Sequence, residues 1–147
     1  MRKEDLYKKQ FELFNPNTEL PQVHILGLGT IGSWTSLACA KLGFDKLHIY
    51  DFDRVELHNI SNQLYTKIGE TRKKTEEVKR ILEEMTYVDN VVLHEVEFDE
   101  KNISILKKTI KKGDIVVMAF DSLEIRKLVF DNIRNMDISI IDGRMGG

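Results

Sequence analysis

Apolar and polar positions change period along this chain, and the changes predict its elements. Residues 3–14 (KEDLYKKQFELF) place apolar side chains at helical spacing, and Asn15-Pro16-Asn17 stops the run. A short apolar stretch at 22–27 reads as a buried strand. The helix expected over 31–43 carries the small residues Ser36, Ala38 and Ala40, which permit close packing, and Gly43 ends it. Strand 46–51 leads into a polar stretch. A helix over 71–86 follows, charged on one face, with Val78, Ile81, Leu82 and Met85 as its apolar stripe. Strand 91–96, helix 102–111, strand 114–119, helix 122–134 and strand 138–142 complete the pattern. Such alternation predicts an α/β fold: a parallel sheet with helices on both faces and right-handed crossovers.

Glycine placement sharpens this. Gly27-Leu28-Gly29-Thr30-Ile31-Gly32 follows the first strand and opens a helix, and about 20 residues on, the second strand ends at Asp51. Strand, glycines, helix and acid together predict a Rossmann-like nucleotide-binding unit. Gly27 allows the tight turn, Gly29 lets backbone approach phosphate, and Gly32 lets helix pack on strand. Phosphate then lies at a helix N-terminus, where unpaired N–H groups and the helix dipole favour negative charge. The expected strand order is 3-2-1-4-5, with ligand at the switch between strands 1 and 4. A helical arm (1–20) would precede one nucleotide-binding domain (21–147). Asp51 suits the ribose diol of a dinucleotide or of ATP equally well.

The stretch from Asp51 to Tyr65 (DFDRVELHNISNQLY) does not enter a helix at once. An NAD-binding unit usually turns into its next helix soon after the ribose acid. A long ordered polar loop there points to ligand binding.

Composition narrows the class without naming the chemistry. At 147 residues the chain suits a single domain, which can bury roughly two-thirds of its unfolded surface. Hydrophobic content of 41% and a net charge of −2 are globular values, and the balance gives no reason to expect nucleic acid or membrane as partner. The single cysteine, Cys39, cannot form an internal disulfide, and the charged N-terminus lacks a signal-peptide core. A cytoplasmic protein is expected. Cys39 lies mid-helix among alanines, where a structural thiol is expected, and without a CxxC pair there are no ligands for zinc.

The run from Gly27 to Gln63 resembles the ThiF family of ATP-dependent activating enzymes, which includes the ubiquitin-activating enzymes. That family shows GxGxxGS, then DxDxVxxxN finishing as NxxRQ. Gly-Leu-Gly-Thr-Ile-Gly-Ser-Trp at 27–34 is also similar to the tRNA threonylcarbamoyladenosine dehydratases within it. The resemblance continues through Lys74-Thr75-Glu76-Glu77-Val78 and through Ala119-Phe120-Asp121-Ser122 with Arg126. Upstream, Tyr7-Lys8-Lys9-Gln10 is similar to the family's RYxRQ arm. Two positions depart from the pattern: Asn62 and Lys9 stand where arginine is usual. Arginine is a planar fork for phosphate oxygens, lysine a point charge and asparagine neutral.

The resemblance implies attack of a carboxylate on the α-phosphate of ATP, giving an acyl-adenylate and pyrophosphate. Gly27, Gly29, Thr30, Ile31 and Gly32 would cradle phosphate, Asp51 would take the ribose, and Asn59 and Gln63 would contact phosphates. Lys74 or Arg72 would offset charge on the leaving pyrophosphate, and Asp121 would hold Mg²⁺. The acyl substrate would be the C-terminus of a small carrier or ubiquitin-like protein, or a modified tRNA. The family arm implies a homodimer in which one subunit completes its neighbour's site. Family domains also continue past the fifth strand, so this chain is expected to be cut from a longer protein. A non-catalytic nucleotide-binding partner and an NAD(P)-dependent oxidoreductase domain are the alternatives.

Several of these residues also admit a purely structural role. Asp53 could cap a turn and Asp121 could cap the helix at 122–134. Lys74 lies in a basic run that would ordinarily be solvated. His24 and His48 are expected in packing or hydrogen bonds, and Trp34 in core or interface.

Overall fold

The computed structural model describes residues 3–10, 14–15 and 18–143. Five parallel strands form one sheet: β1 (Val23–Leu26), β2 (Lys46–Tyr50), β3 (Asn90–His94), β4 (Ile115–Met118) and β5 (Ser139–Asp142). Their order is β3-β2-β1-β4-β5, as expected. The centre is β1, buried at all four positions, as a parallel strand covered on both faces must be.

Helices cover the two faces in pairs. α2 (Thr30–Leu42) and α3 (Lys74–Met85) close one face, where Val23, Ile25, Leu47, Ile49 and Val117 meet Val78 and Leu82. On the other, α4 (Ile103–Thr109) and α5 (Leu123–Ile133) bury Leu26, Tyr50, Val116 and Met118 under Leu106, Val129 and Ile133. Met85, expected in the apolar stripe of α3, is exposed: it occupies the helix's last position.

The N-terminal helix is shorter than its apolar spacing predicts. α1 is confined to Lys3–Leu6, and a turn follows through Gln10. A helix so short has no propagation to offset its nucleation. What fixes the segment is tertiary contact: Gln10 Nε2 donates to Leu42 O at 2.8 Å, and Phe14 packs on Phe44 with ring centroids 5.3 Å apart. Residues 11–13 and the stop at Pro16-Asn17 lie outside the described residues. No described helix is long and apolar enough to cross a membrane.

One sheet face carries a polar row. His24 on β1 sits in register with His48 on β2, and Tyr50 with His94 on β3. Asp114 Oδ2 lies 2.7 Å from His24 Nε2, so that nitrogen donates and His24 Nδ1 accepts from the Tyr50 hydroxyl at 2.9 Å. His48 Nε2 donates to Gln22 Oε1 at 2.7 Å, and its Nδ1 lies 2.9 Å from His94 Nε2. Every bond in this chain is satisfied with neutral rings. With His94 protonated at Nε2, a second proton on His48 would set donor against donor.

Burial accordingly lowers the pKa of all three histidines, that of His48 from the ordinary 6.5 to about 4, with repulsion from His24 and His94 adding to it. A base with a depressed folded pKa binds fewer protons folded than unfolded, so its contribution to stability is present above pH 6.5 and is lost as pH falls toward 4. The urea midpoint should therefore drop between about pH 7.5 and about pH 5, and His48→Leu should flatten that dependence. A midpoint constant across the interval would count against a titrating row.

Candidate functional site

At the C-terminal edge of the sheet, the loops after every strand surround a cavity of about 350 Å³. The glycine loop forms one wall. Gly27 has φ +94°, and a Cβ there would lie 3.0 Å from Ala119 O. At Gly32 a Cβ would lie 1.7 Å from Gly27 O, so helix and strand meet too closely for any side chain. Around Gly29 the nearest atom to a notional Cβ is Gln63 Nε2 at 3.9 Å, which leaves its backbone open to the cavity. The tight turn at Gly27 and the close packing at Gly32 thus fall where the spacing predicts, and Gly29 between them is left uncrowded. Thr30 and Ile31 follow in the lining, in the first turn of α2. No side chain caps this helix and no acid sits in its first turn, so its N–H donors remain available to an anion.

Asp51 anchors the loop from strand β2. Leu28 N–H donates to its Oδ2 and Asp53 N–H to its Oδ1, both at 2.8 Å. Asp51 is therefore the turn-capping acid, a role that was open for Asp53. The Asp53 side chain is exposed at the cavity, with its pKa raised by burial and by Asp51 and pulled back by Lys74.

The polar stretch is an ordered loop with one 3₁₀ turn, Leu57–Ser61, and a second, Lys67–Gly69, follows it. It is sewn to the glycine loop. Ser33 Oγ donates to Gly29 O at 2.6 Å and accepts Leu64 N–H at 3.2 Å. Trp34, half exposed and outside the core, donates from Nε1 to Asn62 O at 2.9 Å. Gln63 lines the cavity, and its Oε1 is buried without a hydrogen-bond partner among the described residues. Asn59 is buried but absent from the lining. Its Oδ1 accepts Glu56 N–H at 2.8 Å, which fixes the start of the first 3₁₀ turn.

Lys74 and Arg72 part ways here. Helix α3 begins at Lys74, not at 71, because residues 69–73 make a turn in which Thr71 has φ +73° and Arg54 pairs with Lys73. Lys74 is 7% exposed, lines the cavity and holds Nζ 5.8 Å from the Tyr65 ring centroid. Arg72 lies outside the lining and reaches Glu77 at 3.4 Å.

Asp121 lines the opposite wall and is exposed. It does not cap α5. Ser122 does, accepting Ile125 N–H at 3.3 Å, because its φ and ψ are extended where a cap must be. Behind Asp121, buried Arg126 pairs with Asp142 and donates to Gly143 O at 2.9 Å, tying the end of β5 to the cavity. Sequence reading missed the aromatic floor. Tyr50, Phe98 and Phe120 form it, with centroids 5.7 Å and 6.0 Å apart along the series. The available signal was an aromatic residue at or just after the end of three successive strands.

Cys39 is half-buried and its thiol is pushed up to about 11 by burial, which keeps it protonated and unreactive. Among the described residues no group of three His, Cys, Asp or Glu side chains could hold a metal.

The chain has relatives of known family in sequence and in fold. The model of the ThiF family matches residues 18–147. The chain belongs to the ThiF family. It is 33% identical over 110 residues to the adenylyltransferase and sulfurtransferase MOCS3 of Aedes aegypti, covering 74% of this chain and 24% of that protein. To the molybdopterin-synthase adenylyltransferase of Haemophilus influenzae it is 30% identical over 120 residues, 81% of this chain and 48% of the relative. In fold it matches E. coli tRNA N6-threonylcarbamoyladenosine dehydratase, solved in complex with ATP. That match has a TM-score of 0.84 at 16% identity and covers 97% of this chain and 62% of that one. This ThiF-family chain therefore spans a quarter to a half of these two curated relatives.

Proposed function

We propose that this chain binds ATP with magnesium and forms the adenylylation site of a carboxylate-activating enzyme. The observation that carries the reading is Lys74: a nearly buried lysine, without an ion pair among the described residues, opens onto the same cavity as an uncapped helix N-terminus. Such a pair of cationic features suits a polyphosphate. A dinucleotide oxidoreductase has no need of the long loop that carries Gln63 and leads to Lys74.

In this reading the Gly29–Gly32 backbone takes phosphate, Asp51 and Asp53 face the ribose, and the aromatic floor takes the base. Gln63 and Lys74 contact phosphate oxygens. The carboxylate oxygen of the acyl substrate attacks the α-phosphorus, the bond to the bridging oxygen breaks, and pyrophosphate leaves with the electron pair. Position and charge neutralisation do the catalysis. Asp121 suits Mg²⁺, which commonly takes one or two carboxylates and fills its remaining sites with phosphate oxygens and water. Bound there, the cation would offset charge on the phosphates.

The substrate we favour is the C-terminal carboxylate of a small carrier protein. One relative is named for adenylylating a protein, molybdopterin synthase, and the structural neighbour for acting on tRNA. We further propose a homodimer. Gln10 docks the arm on Leu42 at the far end of α2, 13 residues and about 20 Å from the glycine loop, so Lys9 serves a neighbour's cavity, not its own.

Calorimetry on the full-length protein, with solution mass measured on the same sample, tests these points. ATP with magnesium should bind, NAD should not, and Asp121→Asn should lose the magnesium dependence while still binding adenosine. NAD binding in preference to ATP would overturn the reading. A monomeric mass at high concentration would remove the dimer, and unchanged magnesium titrations would remove Asp121 as ligand.

A further inference from the structure

Tyr65 closes the polar loop and is 3% exposed, yet neither the glycine motif nor the acids account for it. Its hydroxyl donates to Leu28 O at 2.6 Å. The N–H of Leu28 donates to Asp51. The carbonyl of Leu28 belongs to the peptide plane it shares with Gly29. In a trans peptide the N–H points opposite to the C=O. Fixing the carbonyl toward Tyr65 therefore aims Gly29 N–H the other way, and that N–H makes no hydrogen bond with the described residues. The ring of Tyr65 meanwhile lies under the Lys74 ammonium, 5.8 Å from its centroid.

We propose that Tyr65 is a positioning residue that sets both cationic halves of the phosphate site, the glycine-loop N–H through its hydroxyl and the Lys74 ammonium through its ring. The proposal rests on the nucleotide reading of the cavity. A neutral phenol is required, and burial with Asp51, Asp53 and Glu77 nearby pushes its pKa up, so the hydroxyl stays a donor. The ring holds the cation without neutralising it, as a carboxylate at the same place would. A lysine on four rotatable bonds otherwise has to be ordered when nucleotide binds.

The two roles separate by substitution. Tyr65→Phe keeps the ring and removes the hydroxyl, and Tyr65→Leu removes both. ATP and adenosine affinities are measured by calorimetry for each, in the parent and in Lys74→Met. Tyr65→Phe should weaken ATP binding roughly three- to tenfold, the effect of one neutral hydrogen bond, in both backgrounds. Adenosine affinity should not change. Tyr65→Leu should weaken ATP further in the parent, and the difference between Leu and Phe should vanish in Lys74→Met.

Parental ATP affinity in Tyr65→Phe overturns the hydroxyl role. A difference between Leu and Phe that persists without Lys74 overturns the ring role. Should Tyr65→Leu not fold, NMR of the parent protein decides the ring role. The Lys74 ε-methylene protons should resonate upfield of other lysines, and an unshifted signal overturns it. A parent protein that binds no ATP refutes the nucleotide reading itself, a result distinct from all of these.

Discussion

Lys74→Met is expected to weaken ATP binding roughly tenfold to a hundredfold, while Arg72→Met changes it by about twofold at most. Methionine has nearly the length of lysine and remains apolar, so it keeps the packing on Tyr65 and removes the charge. Loss of a hydrogen bond to a charged group costs about 1.5–3 kcal/mol. Arg72 makes a half-exposed contact with Glu77 at 3.4 Å, the kind of pair worth about 0–1 kcal/mol. Glu77 is nearly fully buried but is not orphaned by the change, since Arg80 holds it at 2.9 Å. Calorimetric titration of both variants checks the assignment. A larger loss for Arg72→Met would hand the phosphate role to Arg72.

That assignment was the point at which the sequence stopped being legible. The family resemblance left Lys74 and Arg72 both open. The choice turned on where α3 starts, and residues 69–73 form a turn with a β-branched residue at φ +73°. Local propensity gives no warning of such a turn. The turn at Gly27 and the close packing at Gly32, by contrast, were legible, because each glycine answers to backbone atoms of the loop itself or of the end of β4. The strand order followed from the same connection rules.

Long-range contacts were harder to read. Tyr65 looked like the end of a loop because its partners, Leu28 and Lys74, are distant in sequence or across a turn. Asp121 and Ser122 compete for one helix cap, and only the backbone angles gave it to serine. Asn59 fits the family's polar pattern, yet its carbonyl oxygen is engaged in holding Glu56. The first helix stops at Leu6 among the described residues, and the contacts that fix the segment beyond it, Gln10 to Leu42 and Phe14 to Phe44, are distant in sequence.

Gly32→Ala and Gly29→Ala are expected to separate folding from binding. At Gly32 the added carbon would stand 1.7 Å from Gly27 O and 2.8 Å from Gly27 C, and neither is the end of a flexible side chain. Gly27 has little room to shift toward β4, since even a Cβ built on it would lie 3.0 Å from Ala119 O and 3.3 Å from the Phe120 ring. Alanine improves helix propensity by about 0.8–1.0 kcal/mol over glycine. Overpacking in a fixed core costs about 1–3 kcal/mol and can exceed it, so the clash wins. Gly32→Ala should therefore lower the thermal midpoint by several degrees, roughly 2–8 °C per kcal/mol for a domain of this class, and abolish ATP binding as the loop moves. At Gly29 the atom nearest a notional Cβ is 3.9 Å away and φ is −82°, so the alanine methyl meets no close neighbour. In the proposed reading its methyl then stands where phosphate oxygens would approach the backbone. Gly29→Ala should keep the parental midpoint and lose at least tenfold in ATP affinity, about 1.4 kcal/mol. Scanning fluorimetry and calorimetry on the two variants measure both effects. Equal midpoints for Gly32→Ala and the parent, or parental affinity in Gly29→Ala, would refute the division of labour among the glycines.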